Sequence, residues 1–502
     1  MIQISTTIFM KRYFFIFFSL TSIIGCSEND PIAEEPNVQE PIPVNQAPAS
    51  FEVSLDDVSH DSASLSWSQA NDPEDDSVTY SIYLNESLIV EKVEELRYQF
   101  VDLEELSNYQ GKIVAKDINN NVTTVAFSFE TKKYYLKFLK KYDYGLVNYA
   151  GIEHAHGSVY AMVRTDDQNY FVAGSSLMPD GSGSRFYVVK IDYEGNEIWK
   201  KFYDYQVFES WYFDMIESNT GFVLVGHHHV LSLDYDGNII WHKKIDSYDI
   251  PDGSAEIKSV VQDKEGNIFL AGGRGASDVN IAQQAVLTKL NSSGDIIWEK
   301  VYEPSQRNFF DDIIITQKND LIIFGSFDTT GNDKIDFWVL KADLEGNIIW
   351  QYTYRNGGYH FPMKIMERSN GNLVFAGYNL GPYDSSSGNL IEIDSDGNEQ
   401  WNVLSNLSIT SLAETNDGGL ITTGYTSSSK FYKMGIFKFS SSGIAQWNKI
   451  HEEYEVHIYG RSVLVEKDGG LRVVGDSRKR YYNGEEKPQL LMFKTDPEGN
   501  FE

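Results

Sequence analysis

The chain has 502 residues, among them 31 Tyr, 29 Phe, 39 Gly and a single Cys. Its formal net charge of −31 makes nucleic acid and anionic lipid surfaces poor partners, because like charges repel. One cysteine excludes any disulfide within the chain. The aromatic and glycine content is typical of many short strands joined by tight turns, so we expect an all-β fold and no nucleic-acid partner.

The first 26 residues have the pattern of an export signal. Lys11 and Arg12 form a basic start, residues 13–20 are an apolar run, and Ile-Ile-Gly leads to Cys26. The apolar run is too short for a membrane-spanning helix and fits a signal peptide. The segment resembles the lipobox of bacterial lipoproteins. That resemblance implies that Cys26 becomes the mature N-terminus, carries acyl chains and anchors the chain in a membrane.

The next segment, 27–46, is predicted to be a linker. It contains four prolines, five acidic residues and no basic residue, so it cannot bury a core and should stay extended. Its first residues, Ser-Glu-Asn-Asp, resemble the acidic export signal of Bacteroidota surface lipoproteins. The resemblance implies an exported, outer-membrane lipoprotein that is exposed at the cell surface.

Residues 47–132 alternate apolar and polar side chains in short runs, a pattern that favours a small β-sandwich. Trp67 falls in an early predicted strand, Tyr80 and Tyr83 fall in the next, and Tyr109 has the spacing of a tyrosine corner. The segment resembles a fibronectin type III domain, which implies a spacer or binding scaffold without catalytic residues.

Residues 133–502 repeat one pattern seven times. In each copy a glycine follows an apolar strand, and in six copies a tryptophan follows the next polar turn. A period near 50 residues with four strand-like runs predicts the blades of a seven-bladed β-propeller. The glycines are Gly174, Gly226, Gly272, Gly325, Gly377, Gly424 and Gly475, and the tryptophans are Trp199, Trp241, Trp298, Trp350, Trp401 and Trp447.

The seventh copy lacks its tryptophan and its outer strand. Residues 137–143 read Lys-Phe-Leu-Lys-Lys-Tyr-Asp and resemble the outer strand of the first copy at 199–204. We therefore expect 137–143 to complete the last blade, because such a closure leaves no sheet edge exposed. The repeated tryptophans should then pack between blades.

The turns of the repeat fall into two sets that should lie on opposite rims of the propeller. Turns after the first and third strands are short and rich in Asn-Gly and Asp-Gly, which is the chemistry of tight hairpins. Loops after the second and fourth strands are long and variable, and we call their side the long-loop rim. Function tends to lie on variable loops over a rigid scaffold. We therefore predict that the ligand site is on the long-loop rim, around the channel mouth.

Aromatic residues of this rim are the candidate ligand contacts, because they combine apolar area with a polar group and suit stacking on sugar rings. The alternative is that several of them begin inner strands and plug the channel. The candidates are Trp211, Tyr212, Phe310, Tyr359, His360 and Tyr459.

No cofactor is predicted, although two groups of residues could bind a metal ion. Histidines of the first two blades could together bind zinc or another transition metal, or could be plain surface groups. The acidic loop at 72–76 could bind calcium, but a polar turn is favoured. The histidines are His154, His156, His227, His228 and His229.

The whole repeat resembles that of exported propeller proteins of Bacteroidota whose activity is not characterised, so the resemblance implies a fold and no reaction. The leading hypothesis is a monomeric, non-catalytic surface protein that binds a glycan or a protein on the long-loop rim. One alternative is a hydrolase or lyase acting on extracellular polysaccharide, although paired carboxylates at a recognisable spacing are not evident. Another is a structural component of the envelope.

Overall fold

In a computed structural model, all regular structure of the described residues is β-strand, which confirms the all-β prediction. The chain divides into two units, the first ending at Lys133 and the second beginning at Tyr134. Within the described residues, no helix is long and apolar enough to cross a membrane. The structure describes residues 44–144, 147–149, 152–154, 157–180, 182–207, 213–245, 256–274, 284–303, 307–328, 335–354, 359–380, 386–426, 431–479 and 488–501.

The first unit contains two antiparallel sheets, one of three strands in the order β1-β2-β5 and one of four in the order β4-β3-β6-β7. The strands are β1 (Val53–Val58), β2 (Ala63–Trp67), β3 (Thr79–Leu84), β4 (Ser87–Val93), β5 (Arg97–Phe100), β6 (Asn108–Lys116) and β7 (Val122–Glu130).

Both sheets of the first unit contribute to one hydrophobic cluster. Alternate residues of β2 and β3 are buried, as a strand with one face on a core requires. Trp67 of β2 meets Tyr80 of β3 edge to face, with ring centroids 5.6 Å apart. The backbone N–H of Glu104 donates to the Tyr109 hydroxyl at 2.8 Å, which is the kind of backbone tie that the Tyr109 spacing predicts.

The described residues of the second unit form seven antiparallel units of four strands, consistent with a β-propeller, and we number these blades 1 to 7 along the chain. Blades 4 and 5 are joined into one eight-stranded sheet by a parallel bridge between Ile335 and Tyr359. Each blade begins with its inner strand. Blades 1 to 3 contain β11 (Gly157–Arg164), β12 (Tyr170–Leu177), β13 (Ser184–Ile191), β14 (Glu197–Val207), β15 (Phe213–Ser218), β16 (Gly221–Gly226), β17 (His229–Leu233), β18 (Ile239–Lys244), β19 (Glu256–Gln262), β20 (Ile268–Arg274), β21 (Gln284–Leu290) and β22 (Ile296–Tyr302). Blades 4 and 5 contain β23 (Asn308–Ile315), β24 (Leu321–Asp328), β25 (Ile335–Ala342), β26 (Ile348–Tyr354), β27 (Tyr359–Glu367), β28 (Leu373–Leu380), β29 (Ser386–Ile393) and β30 (Glu399–Ser405). Blades 6 and 7 contain β31 (Ser408–Glu414), β32 (Leu420–Thr426), β33 (Lys433–Phe439), β34 (Ala445–His451), β35 (Val456–Val465), β36 (Leu471–Lys479) and β37 (Gln489–Lys494).

The outer strand of blade 7 comes from the beginning of the unit. Strand β8 (Phe138–Asp143) pairs antiparallel with β37, from Asp143 opposite Gln489 to Phe138 opposite Lys494. The predicted closure by 137–143 is thereby confirmed. Between β8 and blade 1 lie two short strands that pair with each other, β9 (Val147–Tyr149) and β10 (Ile152–His154).

The repeated tryptophans pack against the next blade, on the glycine of the turn between its third and fourth strands. A Cβ added to Gly237 would lie 2.6 Å from the Trp199 ring. Phe138 makes the equivalent contact in the closing strand, where a Cβ on Gly195 would lie 2.5 Å from its ring. Phe138 therefore takes the place of the seventh tryptophan.

The inner strand of six blades contains a β-bulge at the same level, opposite the repeat glycine. In blade 4, for example, the pairing register shifts between Phe310 and Asp312, and Gly325 faces Phe310. A Cβ on Gly325 would lie 2.0 Å from the carbonyl oxygen of Phe309, so only glycine fits at this position. The other shifts occur at Val159/Ala161, Ile257/Ser259, Pro362/Lys364, Ile409/Ser411 and Gly460/Ser462.

We expect Phe138→Ala to destabilise the protein by about 2 kcal/mol, because it removes an aromatic contact that closes the ring and leaves a void. Phe138→Trp is the matched control, since Trp occupies this register position in six other blades and should preserve stability. Urea denaturation followed by tryptophan fluorescence measures both. A Phe138→Ala protein as stable as the wild type would show that the contact does not support closure.

Candidate functional site

A cavity of about 320 Å³ lies among the inner strands of the propeller. All seven inner strands contribute residues to its wall, so it is the central channel. Its volume is at the lower end of the range of small-molecule sites, roughly 300 to 1,000 Å³. The channel is therefore large enough to take the end of a ligand.

In the six inner strands that contain a bulge, the bulged residue lines this channel. A β-bulge turns a side chain away from the regular alternation of a strand, and here it turns one side chain in each of six blades towards the lumen. These six side chains are all of different types, so the lumen is chemically asymmetric. We call the set the lumen ring, and it consists of Tyr160, Lys258, Asp311, Met363, Thr410 and Arg461.

Other polar residues of the inner strands link neighbouring blades. In four places a side-chain oxygen accepts a hydrogen bond from a backbone N–H of the following blade, two residues beyond the bulged residue. These acceptors therefore link each of those blades to the next. The pairs are Asp214 with Val260 (3.2 Å), Ser259 with Ile313 (3.4 Å), Asp312 with Ile365 (2.7 Å) and Ser411 with Val463 (3.3 Å).

Asp312 is one of the buried acceptors of this set, with 2% of its surface exposed. Its carboxylate also accepts from Lys364 Nζ at 3.0 Å and from Ser259 Oγ at 2.9 Å. Burial raises the pKa of Asp312, and the Lys364 ammonium opposes that shift. Asp312 is thus a buried ion-pair partner that joins blades 3, 4 and 5.

Asp311, the neighbour of Asp312, belongs to the lumen ring and is differently placed. Its Oδ1 accepts from Lys258 Nζ at 2.6 Å, and the Lys258 ammonium also lies 4.8 Å from the centre of the Phe309 ring. Its Oδ2 is buried and accepts no hydrogen bond from any described residue. Burial raises the pKa of this carboxyl as well. Asp311 therefore lines the cavity and carries one buried carboxylate oxygen that has no hydrogen-bond partner among the described residues.

Arg461 places a cation in the same lumen ring. Its Nε donates to Asp476 Oδ1 at 2.6 Å, and Arg478 Nε donates to the other oxygen of that fully buried carboxylate at 3.0 Å. The Arg461 guanidinium also lies over the rings of Tyr459 and Tyr160, 4.9 and 5.6 Å from their centres. These contacts hold the guanidinium in one orientation.

Half-buried aromatic side chains of blades 5 to 7 form a cluster on the long-loop rim, and one of them, Tyr459, contacts Arg461. Tyr425 contacts Tyr432 and Tyr459, each with ring centroids 5.2 Å apart. Burial raises the pKa of Tyr459 to about 12, so its hydroxyl stays protonated at neutral pH. We call this set the tyrosine cluster, and it consists of Phe361, Tyr378, Tyr425, Tyr432, His457 and Tyr459.

The structure places one predicted ligand contact, Tyr459, in the tyrosine cluster. Trp211 and Tyr212 lie outside the described residues, and Tyr359 is described only as the first residue of β27. Tyr378, Tyr425 and Tyr432 were missed, because nothing in the sequence indicates which rim aromatics converge.

Phe310 and His360 are corrections to the predicted ligand surface, because both are buried. Phe310 is fully buried and packs on Trp338 with ring centroids 5.1 Å apart, since it precedes the bulge and points between blades. His360 is 1% exposed; its Nδ1 lies 2.9 Å from the carbonyl oxygen of Ile335 and its ring lies against Phe337. Neither side chain is available for stacking on a ligand.

The histidine triplet of blade 2 is also more buried than a surface loop would be. His227, His228 and His229 are each less than a tenth exposed; the first two form the tight connection between β16 and β17, and His229 is the first residue of β17. His229 Nδ1 lies 2.9 Å from His242 Nε2. The side chain of His154 and the whole of His156 lie outside the described residues.

Among the residues that the structure describes, no three His, Cys, Asp or Glu side chains are grouped so as to hold a metal ion. The acidic loop at 72–76 forms a polar turn, in which Asp72 Oδ1 accepts the backbone N–H groups of Glu74 and Asp76 at 3.1 and 3.2 Å. This is the turn chemistry expected of an aspartate in that position.

No protein-family model and no curated protein matches the chain. Among solved structures, the extracellular domain of a hybrid two component system from B. thetaiotaomicron is similar at 11% identity and a TM-score of 0.43, over 92% of this chain and 60% of that one. The β-propeller domain of the Trilobed protease from Pyrococcus furiosus is similar at 10% identity and a TM-score of 0.39, over 68% and 96%. An exotype rhamnogalacturonan lyase is similar at 9% identity and a TM-score of 0.38, over 90% and 91%. These likenesses concern the fold alone and carry no argument about what this chain binds.

We expect Asp312→Ala to destabilise the protein by about 3 kcal/mol, because it leaves the Lys364 ammonium and the Ile365 N–H without their buried partner. Ser462→Ala is the matched control, since Ser462 follows the bulge of blade 7 as Asp312 follows that of blade 4. Ser462→Ala should lower the free energy of unfolding by no more than about 0.5 kcal/mol. Thermal unfolding followed by circular dichroism compares the two, and equal losses would refute a special role for Asp312.

Proposed function

We propose that this chain is a lipid-anchored surface protein whose propeller binds a saccharide on the long-loop rim. The observation that carries the proposal is the tyrosine cluster, in which several half-buried aromatic rings contact one another and Tyr459 contacts Arg461 of the channel wall. Aromatic faces pack on the C–H surfaces of sugar rings, and phenol hydroxyls bond to sugar hydroxyls. The channel below adds fixed hydrogen-bond donors and acceptors that would give the site specificity.

A protein acting on polysaccharide is the second candidate, and Asp311 is the residue that favours it. Burial raises the pKa of its carboxyl, which is the direction of shift that a general acid requires, although the Lys258 ammonium opposes it. Glycoside hydrolysis usually requires a second carboxylate. The other described carboxylates of the cavity wall, Asp312 and Asp214, accept backbone N–H groups and share the single hydroxyl of Ser259. We therefore favour binding over catalysis.

The proposed setting of the propeller comes from the N-terminal sequence. Cys26 in its lipobox would hold the chain at the outer membrane, and the linker at 27–46 would extend from it. We infer that the first unit is a fibronectin type III module, a reading that its two sheets, the buried Trp67 and the bonded Tyr109 hydroxyl support. Such a module would act as a spacer.

Tyr459→Ala should lower the affinity for a bound saccharide about tenfold, because one stacking face of the cluster is lost. Binding can be found on a glycan array and measured by isothermal titration calorimetry. Tyr235→Ala is the matched control, since Tyr235 is 44% exposed in a short turn on the opposite rim. Unchanged binding by Tyr459→Ala would exclude the cluster as the site, and a protein that binds nothing on the array would contradict the proposal.

Cys26→Ser should move the protein from the membrane fraction to the soluble fraction, because the acyl chains have no other attachment point. Metabolic labelling with a clickable fatty acid followed by fractionation measures this. Ser27→Ala is a suitable control, since it leaves the cysteine in place. A Cys26→Ser protein that remains labelled and membrane-bound would contradict lipidation at this residue.

A further inference from the structure

The lumen ring presents two unlike groups to one cavity, an acceptor on blade 4 and a donor on blade 7. Asp311 is 8% exposed, lines the cavity and has one carboxylate oxygen that no described residue uses. A buried, unbonded carboxylate oxygen is costly unless a ligand or water donates to it. A sugar hydroxyl is a donor of the required kind.

Arg461 supplies the complementary group. A guanidinium has five N–H donors, and among the described residues only its Nε donates, to Asp476. The two terminal nitrogens remain for a ligand and form the planar pair that matches a carboxylate. Since Asp476 also accepts from Arg478, two guanidinium groups approach one buried carboxylate. Arg461 is therefore well placed to bind an additional anionic group.

Two lysine ammonium groups also line the channel, and each forms an ion pair within it. Lys258 donates to Asp311 at 2.6 Å and Lys364 donates to Asp312 at 3.0 Å, so each faces a carboxylate of its own. An ammonium is also a point charge without the planar fork of a guanidinium. An entering carboxylate should therefore favour Arg461 over either lysine.

The charge of the whole protein limits what can approach this site. With a net charge of −31, the surface repels ligands that carry many negative charges. A ligand with a single carboxylate meets little of that repulsion and gains a direct bond to Arg461. Arg461 and the acidic protein surface together therefore favour a ligand that is neutral except for one carboxylate at its end.

We propose that the channel mouth binds the end of a saccharide that carries one carboxylate, a terminal uronic acid. The carboxylate bonds to Arg461, a ring hydroxyl donates to Asp311 Oδ2, and the sugar face lies against Tyr459. This proposal rests on the saccharide-binding function proposed above and names the ligand class for the same site.

A panel of oligosaccharides supplied in matched forms tests the proposal, one form ending in a uronic acid and the other in the corresponding neutral hexose. Titration calorimetry of the full-length protein in detergent should show at least one pair whose acidic form binds roughly tenfold more tightly, as a charge-assisted bond predicts. Equal affinity for both forms of every bound pair would overturn the uronic acid but leave saccharide binding intact. A panel with no binding at all would overturn both.

Variants of the two lumen residues separate their roles. Arg461→Gln should abolish the preference, so that the acidic and the neutral form bind with equal affinity, whereas Arg97→Gln, on an exposed residue of the first unit, should preserve the preference. Asp311→Asn should weaken both forms by a similar factor. A preserved preference in folded Arg461→Gln overturns the assignment, and if that variant does not fold, the wild-type preference decides the question.

Discussion

The propeller depends on one close approach, between the inner strand of a blade and the glycine of the next strand. A Cβ on Gly174 would lie 1.9 Å from the carbonyl oxygen of Ser158, and Gly424 stands in the same relation to Ser408. Glycine within a strand costs about 0.5 to 1 kcal/mol relative to alanine. The repeat keeps glycine at this position despite the cost, because a side chain there would clash with the backbone of the bulged inner strand. The bulge in turn decides which side chain reaches the lumen.

The same distortion also creates the need for the bonds between blades. A bulge interrupts the ladder of backbone hydrogen bonds and leaves a local N–H without its usual partner. Ile365 of blade 5 and Val260 of blade 3 bond instead to carboxylates of the preceding blade, Asp312 and Asp214. Side chains that resemble catalytic acids are therefore structural here, while the neighbouring Asp311 is left to the channel. One backbone irregularity thus separates supporting residues from residues that face a ligand.

The sequence predicted the ring well because its signals are local and repeated. The glycines, the polar turns and the tryptophans recur at near-constant spacing, and Phe138 lies in a segment that matches the outer strands. The site was harder to predict because the lumen residues share a position but no chemistry. Each stands fourteen positions before its repeat glycine, as Arg461 does before Gly475, yet only the strand register shows that this position faces inward. The prediction that Phe310 contacts a ligand was wrong for the same reason, because Phe310 lies next to such a position and is buried.

The closing strand has a mechanical consequence. Tension carried along the chain from its N-terminal side reaches β8 before any other blade strand of the propeller. The pairing of β8 with β37 and the contact of Phe138 with Gly195 would bear that load first. Pulling would strip the outer edge of blade 7 while leaving the channel wall, which consists of inner strands, initially in place. The pairing of β8 with β37, which closes the ring, is therefore also the place where force would open it.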